Sequence, residues 1–305
     1  MSRVVIVGGG LSGLAAAALL EQHNIDYTLI EVKRRVGGSL ISQSIDNFIF
    51  DGPGFVSDAA LLDHPLIAEW GLRESLIPAA SSVVFHQGVQ SLIDTLSARI
   101  SGPRLMRMAL SSIGGLEGGS MALCMENGLM LNARAIILAL PARYAERVFY
   151  GYRTEITEHL LDYRYDNLFR LSYGYRDPVE LLDPPEAAFI SRFSLPERGG
   201  MIVQVGIPTT RQSALPDEEA RSLCAAWGWP APDALYSHYW AEANPVTPHT
   251  SEYPAWRETL MAMLPPHVAL IGSDYVQMPL PIEIAPLSQC LSQAQEAFAK
   301  ILNDL

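Results

Sequence analysis

Four apolar runs, residues 4–7, 27–30, 135–141 and 268–274, lack the polar alternation of half-exposed strands. Their length and β-branched or aliphatic content predict strands buried on both faces, the habit of a parallel sheet. An Ala/Leu stretch at 14–21 predicts a helix directly after the first run. Helices are also expected at 143–149, at 217–227 behind Pro216 and a group of acids, and at 286–302 with proline in the first turn. Residues 61–76 read as one or two short helices. A second kind of segment is short and separated by Gly, Pro and Asp turns. Residues 104–108, 121–126 and 129–132 read as a β-meander, and 168–175, 187–193 and 201–207 as strands of an antiparallel sheet. No internal repeat or low-complexity stretch interrupts this order.

The first two runs are joined by a glycine motif. Gly8, Gly10 and Gly13 fit G-x-G-x-x-G, with Leu11 and Ser12 between the last two. Gly8 suits a tight turn, Gly10 a close approach of a pyrophosphate to the backbone, and Gly13 close packing of helix on strand. The phosphates would then rest on free amides at the positive end of the helix. Glu31 closes the second run eighteen residues after Gly13, where an acid accepts hydrogen bonds from an adenosine ribose. Strand, turn, helix, strand and terminal acid together predict a dinucleotide-binding unit. A 2′-phosphate about 4 Å from that carboxylate would meet a repulsion of roughly 4 kcal/mol per pair of unit charges, so NADP is disfavoured and NAD and FAD remain.

Composition narrows the partners. The 305 residues allow one or two domains with a large core, and 49% hydrophobic with 18% charged residues excludes long disorder. A net charge of −12 repels nucleic acid and anionic lipid, so a small molecule is the expected partner. The three cysteines, Cys124, Cys224 and Cys290, are scattered and predict reduced thiols in the cytoplasm. The apolar start resembles a signal peptide, but it contains the glycine turn and feeds the second strand, so cleavage would destroy the fold. No segment approaches the roughly 20 apolar residues of a membrane span.

Past Glu31 the sequence continues Val32, Lys33, Arg34, Arg35, Val36, Gly37, Gly38, Ser39. Glu31-x-x-x-Arg35-x-Gly37-Gly38 resembles the signature after the second strand of FAD enzymes in the flavin amine oxidase, protoporphyrinogen oxidase and renalase superfamily. That resemblance implies FAD and a glutathione-reductase-like α/β Rossmann domain (1–57, 83–149 and 262–305). It also implies an inserted mixed antiparallel α+β substrate domain (58–82 and 150–261). It implies cofactor contacts from Glu31, Val32, Lys33, Arg35, Gly37, Gly38 and Ser39, the last standing where the family has an arginine that Lys33 could replace. Gly52, Pro53, Gly54 and Phe55 resemble the turn that passes the flavin ring, with proline at an expected glycine. Leu110, with Ile113, resembles the segment bracketing the adenine, and Ala139-x-Pro141 the return to the cofactor domain. Asp274 matches an acid whose carboxylate binds a ribityl hydroxyl, and the 286–302 helix would direct its N-terminus at the flavin's N1 and O2 edge. The family's glycine-rich approach to that helix is here Pro279 to Ala285 without a glycine.

FAD would carry the redox chemistry and the protein would position it. The seven histidines form no H-E-x-x-H or cluster, and Ser12 is not in a G-x-S-x-G elbow, so metal and hydrolase chemistry are not indicated. Lysine occurs only at Lys33 and Lys300. The substrate-domain lysine that many amine oxidases hold near the flavin is therefore missing, which shifts the expectation toward ring or dihydropyridine oxidation. His238, Tyr239 and Asn244 are the candidate polar groups over the flavin, with Trp240 as an aromatic wall. The resulting expectation is an FAD-dependent oxidoreductase taking a hydride from a small cyclic or amine-containing substrate. An NAD-dependent dehydrogenase and a non-catalytic FAD-binding accessory protein are the alternatives.

Overall fold

The computed structural model describes residues 3–52, 57–79, 82–194, 200–243, 252–276 and 285–303. The chain opens with β1 (Val4–Val7), α1 (Leu11–Gln22) and β2 (Tyr27–Glu31). Two hairpins follow in which no regular strand was expected. The first is β3 (Ser42–Ile45) with β4 (Phe48–Asp51). Then come a 3-10 turn (Ala59–Asp63), α2 (Pro65–Glu69) and a 3-10 turn (Arg73–Ser75), the short helices expected there. The second hairpin is β5 (Leu76–Ala79) with β6 (Ser82–Phe85). The β3–β4 turn holds Asp46 and Asn47 at φ 48° and 65°, the left-handed pair that a tight hairpin requires.

Next are α3 (Gln90–Arg99), β7 (Arg104–Met106), β8 (Leu110–Gly115), β9 (Met121–Met125), β10 (Met130–Ala133), β11 (Ala135–Leu138), α4 (Ala142–Phe149) and α5 (Thr154–Leu161). The chain ends with β12 (Asp166–Tyr175), β13 (Phe189–Ser194), β14 (Met201–Pro208), α6 (Asp217–Ala226), β15 (Ala234–Ala243), α7 (Tyr253–Met263), β16 (Val268–Leu270) and α8 (Leu287–Leu302).

The apolar runs form one parallel sheet in the order β16-β11-β1-β2-β7. Val4 and Ile6 face a core shared with α1, α3 and α8, while Val5 and Val7 face a core built with β8 to β10, α4 and α7. Burial on both sides is what a continuous apolar run allows. The expected meander is corrected at one strand: residues 104–106 extend the parallel sheet beside β2, and β8 takes their place against β9 and β10. The last run is also shorter than expected. It stops at Leu270, and Ser273–Tyr275 forms a 3-10 turn after Gly272, whose φ of 135° ends the strand. Pro286 is the N-cap of α8 and not part of its first turn.

The second sheet is antiparallel, in the order β13-β14-β12-β15. Its odd-numbered β12 residues, Phe169, Leu171 and Tyr173, pack with Trp229 and α6. Its other face meets the β3–β4 hairpin through Phe48, Phe50, Ile202 and Tyr236. A Cβ on Gly174 would stand 2.7 Å from the Phe48 ring, so glycine is what lets the hairpin lie on this face. Among the described residues, no helix is long and apolar enough to cross a membrane.

Candidate functional site

The glycine loop lies between β1 and α1, at the carboxyl ends of the parallel strands. A Cβ on Gly8, at φ 104°, would meet the Ala139 carbonyl oxygen at 2.2 Å, and one on Gly13 would meet the Gly8 carbonyl oxygen at 1.9 Å. A Cβ on Gly10 would meet nothing within 4 Å. Two glycines are thus consumed by the protein's own packing and the third faces open space. Gly10 is the N-cap of α1, and no side chain there bonds the first-turn amides. Leu11, Ser12 and Gly13 are buried along that first turn.

Glu31 is 6% exposed. Its Oε2 accepts from the Gly9 amide at 2.7 Å, and its Oε1 from the Lys33 amide at 2.7 Å. The acid therefore ties the end of β2 to the glycine loop, a role the sequence did not reveal. The second glycine pair sits directly on the first: the Gly37 amide donates to the Gly9 carbonyl at 2.7 Å, and a Cβ on Gly38 would come within 3.2 Å of the Gly10 Cα. Arg35 is exposed and folds back on its own loop, donating to the Val36 and Gly38 carbonyls at 3.1 and 2.9 Å. Val32, Lys33 and Ser39 are exposed alongside. Leu110 begins β8 and packs with the core behind Val7 and Ile30. Gly52 is buried, with its amide on the Ile41 carbonyl at 2.6 Å; Pro53, Gly54 and Phe55 lie outside the described residues.

Past the carboxyl end of the edge strand β16, Asp274 is 3% exposed. Its carboxylate accepts from the Ala142 amide at 2.9 Å, from the Tyr165 hydroxyl and from the Ser273 hydroxyl at 3.2 Å. It thereby anchors the start of α4. Burial, and then the negative charge of Asp274, push the Tyr165 hydroxyl far above its ordinary pKa. A cavity of about 580 Å³ opens against Tyr165, Asn167, Thr209 and Arg211. The start of α8 is occupied from across the chain: the Ser288 amide and hydroxyl donate to Asp58 at 3.1 and 2.5 Å.

The strand β15 divides the candidates for catalysis. His238 lies opposite Arg170 in register and Trp240 opposite Leu168, on the face toward the β3–β4 hairpin. Tyr239 is on the reverse face. It packs with the α6 side of the sheet, and its hydroxyl donates to Asn167 at 3.3 Å, so it does not share a face with His238 and Trp240. Strand alternation makes this unavoidable, since neighbours in a strand point to opposite faces. Asn244 lies outside the described residues. His238 Nδ1 is 3.3 Å from the Tyr236 hydroxyl. Burial, and secondly the Arg170 charge, lower the imidazole's pKa, so the ring is neutral at pH 7.

Two buried polar residues were missed in the sequence, Arg170 and Gln204, and the half-buried Asp51 joins them. Arg170 Nη2 donates to Gln204 Oε1, and Gln204 Nε2 reaches the Asp51 carbonyl at 3.4 Å. The Asp51 carboxylate accepts from the Ser42 hydroxyl at 2.6 Å and the Val89 amide at 2.8 Å, and burial raises its pKa. A lone glutamine inside the apolar run 201–207 was the signal available for this cluster.

The family model for NAD(P)-binding Rossmann-like domains matches residues 6–60. The mitochondrial protoporphyrinogen oxidase of Nicotiana tabacum is 40% identical over 73 residues, 24% of this chain and 14% of that protein. Flavin-containing amine oxidase A of Canis lupus familiaris is 53% identical over 38 residues, 12% of this chain and 7% of its own. The matched part is thus less than a fifth of either curated relative's length. Solved structures extend the likeness across the fold. A protein from Exiguobacterium sp. 255-15 that carries the name protoporphyrinogen oxidase aligns with a TM-score of 0.73 at 15% identity, covering 100% of this chain and 99% of that one. A putrescine oxidase variant with redesigned cofactor binding aligns at 0.69 and 12% identity, covering 99% of both chains. The molecule has the α/β fold of these oxidases, with a Rossmann-like parallel sheet at its centre.

Proposed function

We propose that this chain is an FAD-dependent oxidoreductase that accepts a hydride from a small organic substrate. The observation that carries the reading is the double glycine cradle: Gly37 and Gly38 lie on Gly9 and Gly10, Gly10 is open, and Glu31 stands buried at the end of β2. A cradle that keeps side chains away from helix-start amides fits a pyrophosphate. In this reading Gly8, Gly10, Leu11, Ser12 and Gly13 receive the phosphates. Glu31, whose oxygens each keep acceptor capacity after one backbone bond, takes the adenosine ribose. Val32 and Lys33 lie beside the adenosine, with Leu110 behind. Arg35, Gly37, Gly38 and Ser39 line the middle of the cofactor, Ala139 backs the loop, and Asp274 reaches the ribityl end. Gly52 to Phe55 would pass the ring.

When bound, FAD supplies the two-electron chemistry. The residues of this chain position the reactants and keep water out. Trp240 forms an apolar wall on the sheet face, and neutral His238 holds or releases a proton at its ring nitrogens. The parallel-sheet part, 1–57, 83–149 and 262–305, would hold the cofactor, and 58–82 with 150–261 the substrate. The likeness to proteins named protoporphyrinogen oxidase and putrescine oxidase supports a small-molecule substrate, and the charge of −12 argues against nucleic acid.

The test is the visible spectrum of the purified protein. A flavin spectrum, with FAD released by heat or acid, is the expected result. A colourless protein that takes up NAD but not added FAD in calorimetry overturns it in favour of an NAD-dependent dehydrogenase. One observation favours a second reading, FAD binding without turnover: Asp58 occupies the Ser288 amide at the helix end expected to face the flavin. Bleaching of the flavin by any small-molecule substrate excludes that reading, and photoreduction with no substrate-driven reduction supports it.

A further inference from the structure

Arg170 is a buried cation in the interior of the second sheet with no carboxylate in ion-pair contact among the described residues. It is 4% exposed, and its Nε and Nη1 have no hydrogen-bond partner among the described residues. Its one bond goes to the neutral amide of Gln204, and its guanidinium carbon lies 5.9 Å from the centre of the Phe189 ring. Asp51 is near enough to be felt, but its carboxylate is committed to Ser42 and Val89 and forms no ion pair with Arg170 within 4 Å among the described residues. Burial lowers the guanidinium pKa to about 10, which leaves it charged at neutral pH.

An unpaired buried charge is strongly destabilising, and an apolar residue of similar size would remove that cost. The chain has 33 acids to 21 lysines and arginines, so an internal partner was not scarce. Arg170 also sits on the sheet face that meets the β3–β4 hairpin, beside His238, and its partner Gln204 reaches the carbonyl of Asp51 at the end of β4. Arg170 Nη2 gives one of its two N–H groups to Gln204, and its other one completes, with Nε or with Nη1, a two-pronged edge that a carboxylate fits.

From these observations we infer that Arg170, oriented by Gln204, anchors a carboxylate of the substrate. This names the substrate class within the FAD-enzyme reading and rests on that reading for its place beside the cofactor. The site is closed to solvent here, so entry of the anion requires neighbouring side chains to move. Charge selects the carboxylate over its neutral amide, and the fork geometry explains why the cation is arginine.

The experiment titrates the FAD-loaded protein with acetate and benzoate, and with acetamide and benzamide as neutral controls, by calorimetry and by shifts of the flavin bands. At least one carboxylate should bind tenfold or more tightly than its amide. Arg170→Met should lose that preference while keeping its FAD spectrum, and Arg170→Lys should recover part of it. Gln204→Glu places a carboxylate on the guanidinium and should weaken the anion at least tenfold, and it carries the test should Arg170→Met fail to fold. No carboxylate binding to a protein with a normal flavin spectrum overturns the inference, as does equal binding of acid and amide. An undiminished preference in the folded Arg170→Met protein, or in Gln204→Glu where Arg170→Met does not fold, also overturns it. Absence of the flavin spectrum is instead a failure of the FAD reading, and calorimetry on the same colourless protein then still decides the Arg170 site.

Discussion

Asp58 and Ser288, 230 residues apart, are joined by two hydrogen bonds, amide to Oδ1 at 3.1 Å and hydroxyl to Oδ2 at 2.5 Å. The pair closes the N-terminus of α8, whose own N-cap, Pro286, offers no side-chain acceptor. It couples the segment after β4 to the last helix of the chain. Loss of a capping acid costs about 1–2 kcal/mol. Asp58→Ala and Ser288→Ala should each lower the unfolding free energy by about 1 kcal/mol, with the double variant falling well short of the sum. Denaturant titration of the four proteins measures this coupling; strict additivity would show that the two residues do not act on each other.

The glycine loop separates packing from ligand binding residue by residue. Gly10 has φ −72° and open space at its Cβ position, so Gly10→Ala should change stability by less than about 0.5 kcal/mol. Its methyl group would nonetheless stand where the pyrophosphate approaches, and FAD affinity should drop at least tenfold, about 1.4 kcal/mol. Gly13→Ala meets the Gly8 carbonyl and should cost roughly 1–3 kcal/mol of stability before any ligand is added. Melting temperatures and FAD titrations of both variants check the contrast. Equal FAD affinity of Gly10→Ala and wild type would remove the pyrophosphate from this loop.

Glu21, at the end of α1, gathers the Ser101 hydroxyl and amide, the Tyr27 hydroxyl at 2.7 Å and the Gly102 amide at 3.3 Å. The Ser101 bonds, followed by that of Tyr27, hold its carboxyl at about 2 against an ordinary 4.5. A depressed folded pKa means that the unfolded chain takes up the proton first as pH falls. The stability is therefore fully present above pH 4.5 and is lost progressively toward pH 2. Wild type should lose more melting temperature between pH 6 and pH 3 than Glu21→Gln. Parallel decline of the two proteins would show that the acid is not held by these donors.

The parallel half of the fold was legible because its signals are local: an apolar run implies burial on both faces, and glycine spacing implies a turn. The role of Glu31 was legible only in part. Its place at the end of β2 is a matter of sequence distance, but its bond to Gly9 depends on how the loop returns. Tyr239 was grouped with His238 and Trp240 because three consecutive aromatic or imidazole residues were read as one patch, against the alternation of a strand. The β3–β4 hairpin carried a readable Asp46-Asn47 turn, but Ser42 to Ser44 are polar and Phe48 to Phe50 apolar, so neither flank shows the alternation that marks a strand. Arg170 and Asp58 could not have been read in this way. Each acquires its meaning from a partner on another element, and a single sequence records no such pairing.

Asp274 combines a local structural duty with an expected cofactor contact, and the two can be measured apart. Its carboxylate holds the Ala142 amide at the start of α4 and the Tyr165 hydroxyl, while the Tyr253 hydroxyl donates to its backbone carbonyl at 2.8 Å. Asp274→Ala strands both donors in a buried setting, at roughly 1–3 kcal/mol each, and should be the most destabilised of the variants considered. Asp274→Asn keeps an oxygen for the Ala142 amide and should lose less. Tyr165→Phe removes one donor to the carboxylate and leaves the acceptor in place. If the acid also receives a ribityl hydroxyl, Asp274→Asn should weaken FAD by about tenfold, because a charge-assisted bond of roughly 1.5–3 kcal/mol becomes a neutral one. Tyr165→Phe should then bind FAD as tightly as wild type or more so, since the carboxylate gains a free lone pair. Titration of FAD into each folded apoprotein at 25 °C reads both effects. Wild-type FAD affinity in Asp274→Asn, together with reduced stability, would leave Asp274 as the anchor of α4 alone and move the ribityl contact to another residue.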